Sequence, residues 1–203
     1  VLYMYNFTFN IPTKIHFGKD TISSLSELKA YGSKVLLVYG GGSIKKNGLY
    51  DTAMKILKDA GLTVFELSGV EPNPKIETVR KGVEICKNEG IDMVLAIGGG
   101  STIDCSKVVA AGAKYDGDAW DLVLDGSKVK AALPIFDVLT LSATGTEMDP
   151  FAVISDMSKN EKWGTGSPYM VPTMSILNPE YTFSVSKKQT AAGTADMMSH
   201  TME

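Results

Sequence analysis

The fold is decided by the stretch Met93-Val94-Leu95-Ala96-Ile97-Gly98-Gly99-Gly100-Ser101-Thr102-Ile103-Asp104. Residues 93–97 are all apolar, which is typical of a parallel strand that is covered on both faces. The three glycines that follow let the backbone turn sharply and approach a ligand closely. Ser101 is a good helix N-cap, and Asp104 three positions later gives a capping-box pattern. The stretch therefore predicts a buried strand, a glycine turn and the start of a helix.

This glycine turn has two interpretations. The first turn of a helix carries unpaired N–H groups and the positive end of the helix dipole, and both favour a phosphate. The turn is then a cradle for a pyrophosphate. In the other interpretation it is a tight strand-to-helix connection with a well-made cap. Glycine-rich turns are common, so these residues alone leave both interpretations open.

The same local pattern occurs three times: an amphipathic helix ends at a glycine and a short apolar strand follows. The predicted helices are 20–31, 49–60 and 76–89, the glycines are Gly32, Gly61 and Gly90, and the strands are 35–39, 63–65 and 93–97. A glycine in this place commonly closes a helix with a left-handed residue. Helices that alternate with short apolar strands predict an α/β fold, in which a mostly parallel, Rossmann-like sheet has helices on both faces.

The remaining segments complete this prediction. Pro12 lies in an alternating stretch, so residues 6–17 are expected to form edge strands or a hairpin arm. Further helices are expected at 102–113 and 119–124, further strands at 135–139, 152–155 and 175–177, and a turn-rich connection between the last two.

A change of character at residue 186 predicts a domain boundary. Ser186 and Gln189 form a second capping-box pattern, and the helix that they start is expected to continue to residue 203. We therefore expect a dinucleotide-binding domain over 1–185 and the first helix of an all-helical, metal-binding domain over 186–203. A helix that ends the chain cannot bury its apolar face alone, so we expect a fragment of a longer protein or a partner that covers this face.

Composition excludes several classes of function. The 203 residues carry a formal net charge of −3 with dispersed lysines, which predicts no nucleic-acid partner and no anionic membrane surface. No apolar run approaches the roughly 20 residues that span a bilayer. The first residues do not resemble a signal peptide. Cys86 and Cys105 lie in separate predicted helices, which favours a reducing cytoplasm over a disulfide scaffold.

Two loops at the carboxyl ends of the predicted strands carry candidate ligand groups, as expected for open α/β sheets. One is Gly40-Gly41-Gly42-Ser43-Ile44-Lys45-Lys46. It lacks the acidic residue that binds the ribose 2′-OH of NAD, and its hydroxyl, glycine N–H groups and lysines would suit a 2′-phosphate. The other spans 140–147, whose hydroxyls could bind ribose or nicotinamide. Both could equally be ordinary loops that satisfy their own polar groups.

One pair of residues is a candidate for binding a metal. Asp196 and His200 are four positions apart in the last predicted helix, so both side chains project from one face. A carboxylate and an imidazole in this arrangement can bind one divalent transition metal. Taken alone, the pair is better explained by a simple Asp–His hydrogen bond on the helix surface, and a catalytic site would need further ligands.

Taken together, the motifs resemble the iron-containing (group III) alcohol dehydrogenases, and most of all their NADP-dependent butanol dehydrogenase and aldehyde reductase branch. The resemblance covers the chain but only the amino-terminal half of a family member. It rests on Tyr39-Gly40-Gly41-Gly42-Ser43, Glu71-Pro72-Asn73-Pro74, Gly98-Gly99-Gly100-Ser101 with Asp104, Thr140 with Ala143-Thr144-Gly145-Thr146-Glu147, and Ala195-Asp196-Met197-Met198-Ser199-His200.

The resemblance implies roles for individual residues. Asn73 would lie near the adenosine half of the cofactor, Gly98, Gly99, Gly100 and Ser101 on its pyrophosphate, Asp104, Thr140 and Thr144 towards the nicotinamide, and Lys162 on ribose. Asp196 and His200 would be two of four metal ligands, the other two being histidines further along a family member. NAD-preferring members carry an acid at the position of Gly40, so the resemblance implies NADP(H).

The expected function is therefore metal-assisted hydride transfer between NADP(H) and a primary alcohol or aldehyde, with Fe(II) or alternatively Zn(II) as the metal. A homodimer is a candidate assembly. Two alternatives stay open: a nucleotide-binding module without catalysis, and a metal- and NAD-using lyase of the dehydroquinate-synthase type, which the segment 195–200 resembles less.

Overall fold

Six parallel strands form the central sheet in a computed structural model that describes residue 8 and residues 10–202. The strands are β1 (Lys14–Phe17), β2 (Lys34–Tyr39), β3 (Thr63–Leu67), β4 (Met93–Gly98), β5 (Ile135–Leu139) and β8 (Met174–Leu177). Their order across the sheet is β1-β8-β5-β4-β2-β3, and all the pairings are parallel. The predicted α/β fold with a mostly parallel sheet is confirmed.

The helices cover the two faces of this sheet. They are α1 (Ser43–Lys46), α2 (Leu49–Asp59), α3 (Ile76–Glu89), α4 (Gly100–Gly112), α5 (Ala119–Leu124) and α6 (Lys187–Met202), with 3-10 helices at Thr21–Tyr31, Gly126–Lys128, Pro168–Met170 and Pro179–Thr182. One core lies between the sheet and α3, α4 and α5, and the other lies between the sheet, α2 and the first 3-10 helix. Residues 93–97 are fully buried, as a central strand with two covered faces requires.

The structure corrects the turn-rich prediction for the region after residue 155. A second sheet pairs β6 (Phe151–Asp156) with β7 (Glu161–Gly166) in an antiparallel hairpin. One of the glycines that suggested turns has a packing role, because a Cβ on Gly166 would lie 2.5 Å from the ring of Phe151. Glycine in a strand can mark such a close approach as readily as a turn.

One further prediction needs correction. The segment 20–31 is a 3-10 helix that begins at Thr21, and its closing glycine is not left-handed: Gly32 has φ 158° and lies against the side chain of Asp92, which a Cβ would overlap. Gly61 and Gly90 do have left-handed φ values of 75° and 62°. Of the two alternatives predicted for residues 6–17, the structure shows the edge strand: β1 is short and pairs in parallel with β8 at the edge of the sheet. The part of that prediction on residues 6, 7 and 9 lies outside the described residues.

Candidate nucleotide-binding site

The sheet reverses its direction of progress between two neighbouring strands, β2 and β4. From β2 the chain moves outwards to β3, and from β4 it moves outwards in the opposite direction to β5. Such a reversal leaves a crevice beyond the carboxyl ends of the two strands, where ligands bind in open α/β folds. Both glycine-rich loops open onto this crevice, because Gly40 directly follows β2 and Gly99 directly follows β4.

Helix α4 points its amino terminus at this crevice, but it begins differently from the prediction. The helix starts at Gly100 with Gly99 as its N-cap, and no side chain caps it. Ser101 is therefore a first-turn residue and not the N-cap; its hydroxyl accepts a hydrogen bond of 3.3 Å from the backbone N–H of Asn73. An uncapped helix amino terminus keeps N–H donors and a positive dipole end available for an anion.

Asp104 does not complete a capping box either. Its Oδ1 accepts a hydrogen bond of 2.6 Å from the hydroxyl of Thr146, and its Oδ2 accepts one of 3.0 Å from the backbone N–H of Val153. Burial raises the pKa of Asp104, although the hydrogen bonds from Thr146 and Val153 and the charge of Lys107 oppose this shift. The carboxylate therefore ties α4 to the loop after β5 and to β6.

A cavity of about 320 Å³ lies over the first turn of α4. It is lined by Asn73, Pro74, Gly100, Ser101, Asp104, Leu141, Ala143, Thr144, Val153 and Lys162. Six of these residues were predicted as cofactor contacts: Asn73, Gly100, Ser101, Asp104, Thr144 and Lys162. Across the cavity, Lys162 Nζ donates a 2.8 Å hydrogen bond to Asn73 Oδ1. Four segments that are distant in the chain thus converge on one concave surface.

The glycines at the carboxyl end of β4 keep the backbone close to its neighbours. A Cβ on Gly98 would lie 2.5 Å from the hydroxyl oxygen of Thr102, and one on Gly99 would lie 3.2 Å from Cβ of Leu141. Thr140 also lies against this turn, because its N–H donates a 2.9 Å hydrogen bond to the carbonyl oxygen of Gly98. Gly98, Gly99 and Thr140 therefore border the cavity without lining it.

The loop after β2 carries the remaining predicted cofactor contacts, Gly40, Gly41, Gly42 and Ser43, and lies outside this cavity. Gly40 packs against the loop that follows β3, since its carbonyl oxygen accepts a 3.2 Å hydrogen bond from Gly69. A Cβ on Gly40 would lie 3.3 Å from the carbonyl oxygen of Val70. Gly42 has φ 99° and precedes α1, a conformation that glycine adopts readily.

The two lysines of this loop differ in their surroundings. Both are exposed, but Lys45 Nζ lies 5.1 Å from the ring centre of Tyr39 and 4.5 Å from that of Tyr50. The hydroxyls of Tyr39 and Tyr50 donate hydrogen bonds of 2.6 and 2.8 Å to Glu66. We call Tyr39, Lys45, Tyr50 and Glu66 the tyrosine–lysine cluster. Burial opposes the ionisation of Glu66, but the two hydroxyls and Lys45 together lower its pKa.

The predicted metal pair lies on α6. Asp196 and His200 are four positions apart in this helix, and the side chain of His200 lies outside the described residues. Within residue 8 and residues 10–202, no three His, Cys, Asp or Glu residues are grouped as a metal site. One carboxylate and one imidazole are suitable donors for iron or zinc, but they are too few to enclose either ion.

No helix in the described part of the chain is long and apolar enough to cross a membrane.

Sequence reasoning missed one buried cation beside the cavity. Lys107 in α4 has no exposed side-chain surface, and its ammonium contacts Thr146, Asp149 and Phe151. The apolar residues Val108 and Val109 that follow it indicate a buried helix, and this pattern could have indicated that the lysine is buried. A lysine in such a helix must find its partners in the tertiary structure, and the helical pattern does not reveal them.

Comparison with known proteins identifies relatives over almost the whole chain. The family model described as iron-containing alcohol dehydrogenase matches residues 12–179. NADH-dependent butanol dehydrogenase A of Clostridium acetobutylicum is 62% identical over 98% of this chain and 52% of its own length. The NADPH-dependent aldehyde reductase YqhD of Escherichia coli is 40% identical, with the same coverage of 98% and 52%. The chain thus spans about half the length of these curated relatives.

A solved structure agrees with the observed fold. The crystal structure of NADH-dependent butanol dehydrogenase A from Thermotoga maritima superposes with a TM-score of 0.95 at 49% sequence identity. The match covers 98% of this chain and 51% of that chain. The parallel sheet with its helices is therefore the fold of the amino-terminal part of that protein.

Proposed function

Because the chain belongs to the iron-containing alcohol dehydrogenase family, we propose that it forms the cofactor-binding part of an NADP(H)-dependent alcohol dehydrogenase or aldehyde reductase. The reaction is hydride transfer between the nicotinamide and a primary alcohol or aldehyde, assisted by a divalent metal. The observation that carries this proposal is the cavity over α4, where six residues from separate segments converge at the reversal point of the sheet.

The residues of the cavity divide the dinucleotide between them. The first turn of α4, at Gly100 and Ser101, binds the pyrophosphate through backbone N–H groups and the helix dipole. Asn73 lies towards the adenosine, and Lys162 binds ribose hydroxyls or a phosphate oxygen. Asp104 and Thr144 lie towards the nicotinamide. The Gly98–Gly99 turn supports this arrangement because side chains there would displace Thr102 or Leu141.

The chemistry is divided between the bound groups and the protein. When bound, the nicotinamide carries the hydride, and the metal acts as a Lewis acid on the alcohol or aldehyde oxygen. The chain itself orients the cofactor and surrounds it with fixed charges and dipoles. Asp196 and His200 would hold the metal, with Fe(II) or alternatively Zn(II) as the ion, together with ligands from outside the described residues. The boundary at residue 186 would then separate cofactor binding from metal binding.

The preference for NADP(H) is a finer proposal. Its support is the loop after β2, where Gly40 takes the place of an acidic residue and Ser43 and Lys46 offer donors. The carboxylate of Glu66, on the neighbouring strand, is held by two tyrosine hydroxyls. Each of its oxygens already accepts one tyrosine hydroxyl, so a ribose 2′-OH would have to share an acceptor oxygen with Tyr39 or Tyr50. Relatives are named for both cofactors, since the one from C. acetobutylicum is called NADH-dependent and YqhD is called NADPH-dependent.

One observation favours a second candidate, a nucleotide-binding module without catalysis. The described residues contain no group of three or more potential metal ligands. The dinucleotide would then bind to the 203-residue chain without any turnover. This candidate and the first share the cavity and differ in the requirement for a completed metal site.

The test compares the complete protein with the 203-residue chain. Titration of each with NADPH and NADH, followed by cofactor fluorescence, measures binding. Oxidation of NADPH in the presence of butanal and added Fe(II) or Zn(II) measures turnover. We expect both proteins to bind NADPH and only the complete protein to turn over. Failure of either protein to bind a nicotinamide dinucleotide would refute the proposal, and binding without turnover by the complete protein would select the module.

A further inference from the structure

Helix α4 carries a buried ammonium group directly behind the proposed cofactor cavity. The side chain of Lys107 has 0% exposed surface. Its Nζ lies 2.9 Å from the hydroxyl oxygen of Thr146 and 2.8 Å from Asp149 Oδ1. The backbone oxygens of Asp149 and Phe151 lie at 2.8 Å. A buried ammonium is costly unless it is paired and hydrogen-bonded, so every one of these acceptors has a role in keeping it there.

Two successive hydrogen bonds lead from Lys107 to the cavity, and in each of them the donor is the group farther from the cavity. Lys107 Nζ donates to the hydroxyl oxygen of Thr146, and the single hydroxyl proton of Thr146 is then directed to Asp104 Oδ1 at 2.6 Å. The carboxylate of Asp104 lines the cavity. Asp104 and Lys107 are three positions apart and share one face of α4. The ammonium thus orients the hydroxyl that in turn orients a carboxylate of the cavity wall.

The same contacts hold the segment that builds one side of the cavity. Lys107 binds Thr146, Asp149 and Phe151, and Asp104 binds strand β6 of the same segment by accepting a hydrogen bond from the Val153 N–H. Residue 144 lies just before this segment and lines the cavity. The β6–β7 hairpin, which begins within the segment, carries Lys162. Four attachments along 146–153 therefore fix this wall against α4.

We propose that Lys107 is a positioning residue for the nicotinamide side of the cofactor site, acting through Thr146 on Asp104. The inference rests on the proposed cofactor function. Core packing alone does not require a lysine here, because well-packed apolar residues often replace buried ion pairs without loss of stability. The neighbours Val108 and Val109 are themselves buried and apolar. The charge is needed to orient the hydroxyl of Thr146 and to gather backbone oxygens that an apolar side chain would leave unpaired.

The test uses Thr146, since its substitution leaves the buried charge in place. Thr146→Val removes the hydroxyl at nearly constant volume, whereas Thr146→Ser retains it. We expect Thr146→Val to weaken NADPH binding in the complete protein by about tenfold and Thr146→Ser to stay within about twofold of the parent. Lys107→Met should match Thr146→Val or exceed it. Fluorescence titration measures the dissociation constants, and thermal melts measure folding.

Thr165→Val is the matched control. The Thr165 hydroxyl makes a comparable buried hydrogen bond of 2.6 Å, but to Leu122 and away from the cavity. Its loss should lower the melting temperature without changing the NADPH dissociation constant. The inference is refuted if folded Thr146→Val binds NADPH like the parent, or if the valine and serine variants bind equally. A parent that binds no nicotinamide dinucleotide refutes the proposed function as well. If Lys107→Met does not fold, the comparison of Thr146→Val with Thr146→Ser decides whether the inference stands.

Discussion

Lys162 and Asn73 lie 89 positions apart in the chain, yet Lys162 Nζ donates a 2.8 Å hydrogen bond to Asn73 Oδ1. The bond joins hairpin strand β7 to the loop before α3 across the mouth of the cavity. Asn73 has a left-handed φ of 56°, and its N–H also binds Ser101 on α4. A left-handed asparagine costs less than most residues in this conformation, so the loop can keep its amide beside the helix terminus. The site is therefore held together by side chains from three elements.

Gly99→Val should weaken cofactor binding without unfolding the protein. Gly99 has extended backbone angles that valine can adopt, but its Cβ would lie 3.2 Å from Cβ of Leu141, beside the cavity. The branched side chain would then extend into the space where a pyrophosphate approaches α4. We expect at least a tenfold rise in the NADPH dissociation constant, measured by fluorescence titration. Unchanged affinity in a variant whose melting curve shows a folded protein would refute the cradle assignment.

Gly40→Asp should shift cofactor preference from NADP(H) towards NAD(H). A carboxylate at this position would repel a 2′-phosphate and accept a hydrogen bond from a free 2′-OH. Gly40→Ala is the control, because both variants bring a Cβ to 3.3 Å from the carbonyl oxygen of Val70. We expect the NADPH-to-NADH affinity ratio to fall about tenfold in the aspartate variant and to stay within about twofold in the alanine variant. Equal affinities for both cofactors in the unmodified protein would contradict the NADP(H) preference.

The tyrosine–lysine cluster gives a second route to the same preference. Glu66 is the counter-charge nearest to Lys45 in this cluster, and its removal leaves a more positive potential beside the loop after β2. Glu66→Gln should therefore raise the NADPH-to-NADH affinity ratio, by about threefold at low ionic strength. Asp59→Asn, which removes an exposed acid from the other end of α2, should leave the ratio unchanged. If both variants give the same NADPH-to-NADH affinity ratio as the parent, the tyrosine–lysine cluster takes no part in selecting the cofactor.

The sequence predicted the elements better than the contacts between them. The apolar run before Gly98 identified β4, and the pattern 119–124 identified α5 to the residue. Strand β7 was missed, because Gly164 and Gly166 indicate turns locally, and only the ring of Phe151 over Gly166 explains the second glycine. Local sequence patterns therefore predict an element correctly where hydrophobic periodicity determines it. They fail where contact with a side chain distant in sequence determines it.

The candidate site shows the same division. Residues carried by a recognisable motif, such as Asn73 and Thr144, do line the cavity. Asp104 was assigned to a cap from its spacing alone, but it binds Thr146 and Val153, which lie more than forty positions away. The apolar neighbours of Lys107 indicate a buried helix, but nothing in the sequence indicates what the lysine contacts, because a helical lysine is usually solvated. Tertiary hydrogen bonds to buried charges have no short-range signature in the sequence.

Asp137→Asn should make stability less dependent on pH. Burial, with the charge of Glu147, raises the pKa of Asp137 well above its usual value, and Ser175 and Lys107 oppose this only in part. The Ser175 hydroxyl lies 2.6 Å from Asp137 Oδ2 and 2.7 Å from the carbonyl oxygen of Glu147. It has one proton, so a neutral Asp137 with a proton of its own allows both contacts to be hydrogen bonds.

The sign of the pH effect follows from the raised pKa. The unfolded chain loses the Asp137 proton near pH 4, whereas the folded protein retains it, so the folded state loses stability as the pH rises towards the folded pKa. Each unit of pKa shift corresponds to about 1.4 kcal/mol. Urea unfolding at pH 4.5, 6 and 8 should therefore show the asparagine variant gaining stability relative to the parent as the pH rises. A difference that stays constant with pH would show that Asp137 is ionised in the fold.

Asp196 and His200 should be metal ligands in the complete protein and should hold metal poorly in the 203-residue chain. They are four positions apart on α6, a spacing that suits two ligands of one ion. Two protein ligands leave an ion mostly hydrated, whereas a closed site needs about three or four. An imidazole binds metal only when it is neutral, so acidification should release the ion.

Elemental analysis after gel filtration tests this assignment. Asp196→Ala and His200→Ala should each reduce iron or zinc in the complete protein by about tenfold or more. His16→Gln is the control, because His16 lies on β1, where its Nε2 is 3.1 Å from Glu27 Oε1. It should leave the metal content unchanged. If the 203-residue chain alone held one metal ion tightly, it would have to contain further metal ligands. The assignment of Asp196 and His200 as its only ligands would then be wrong.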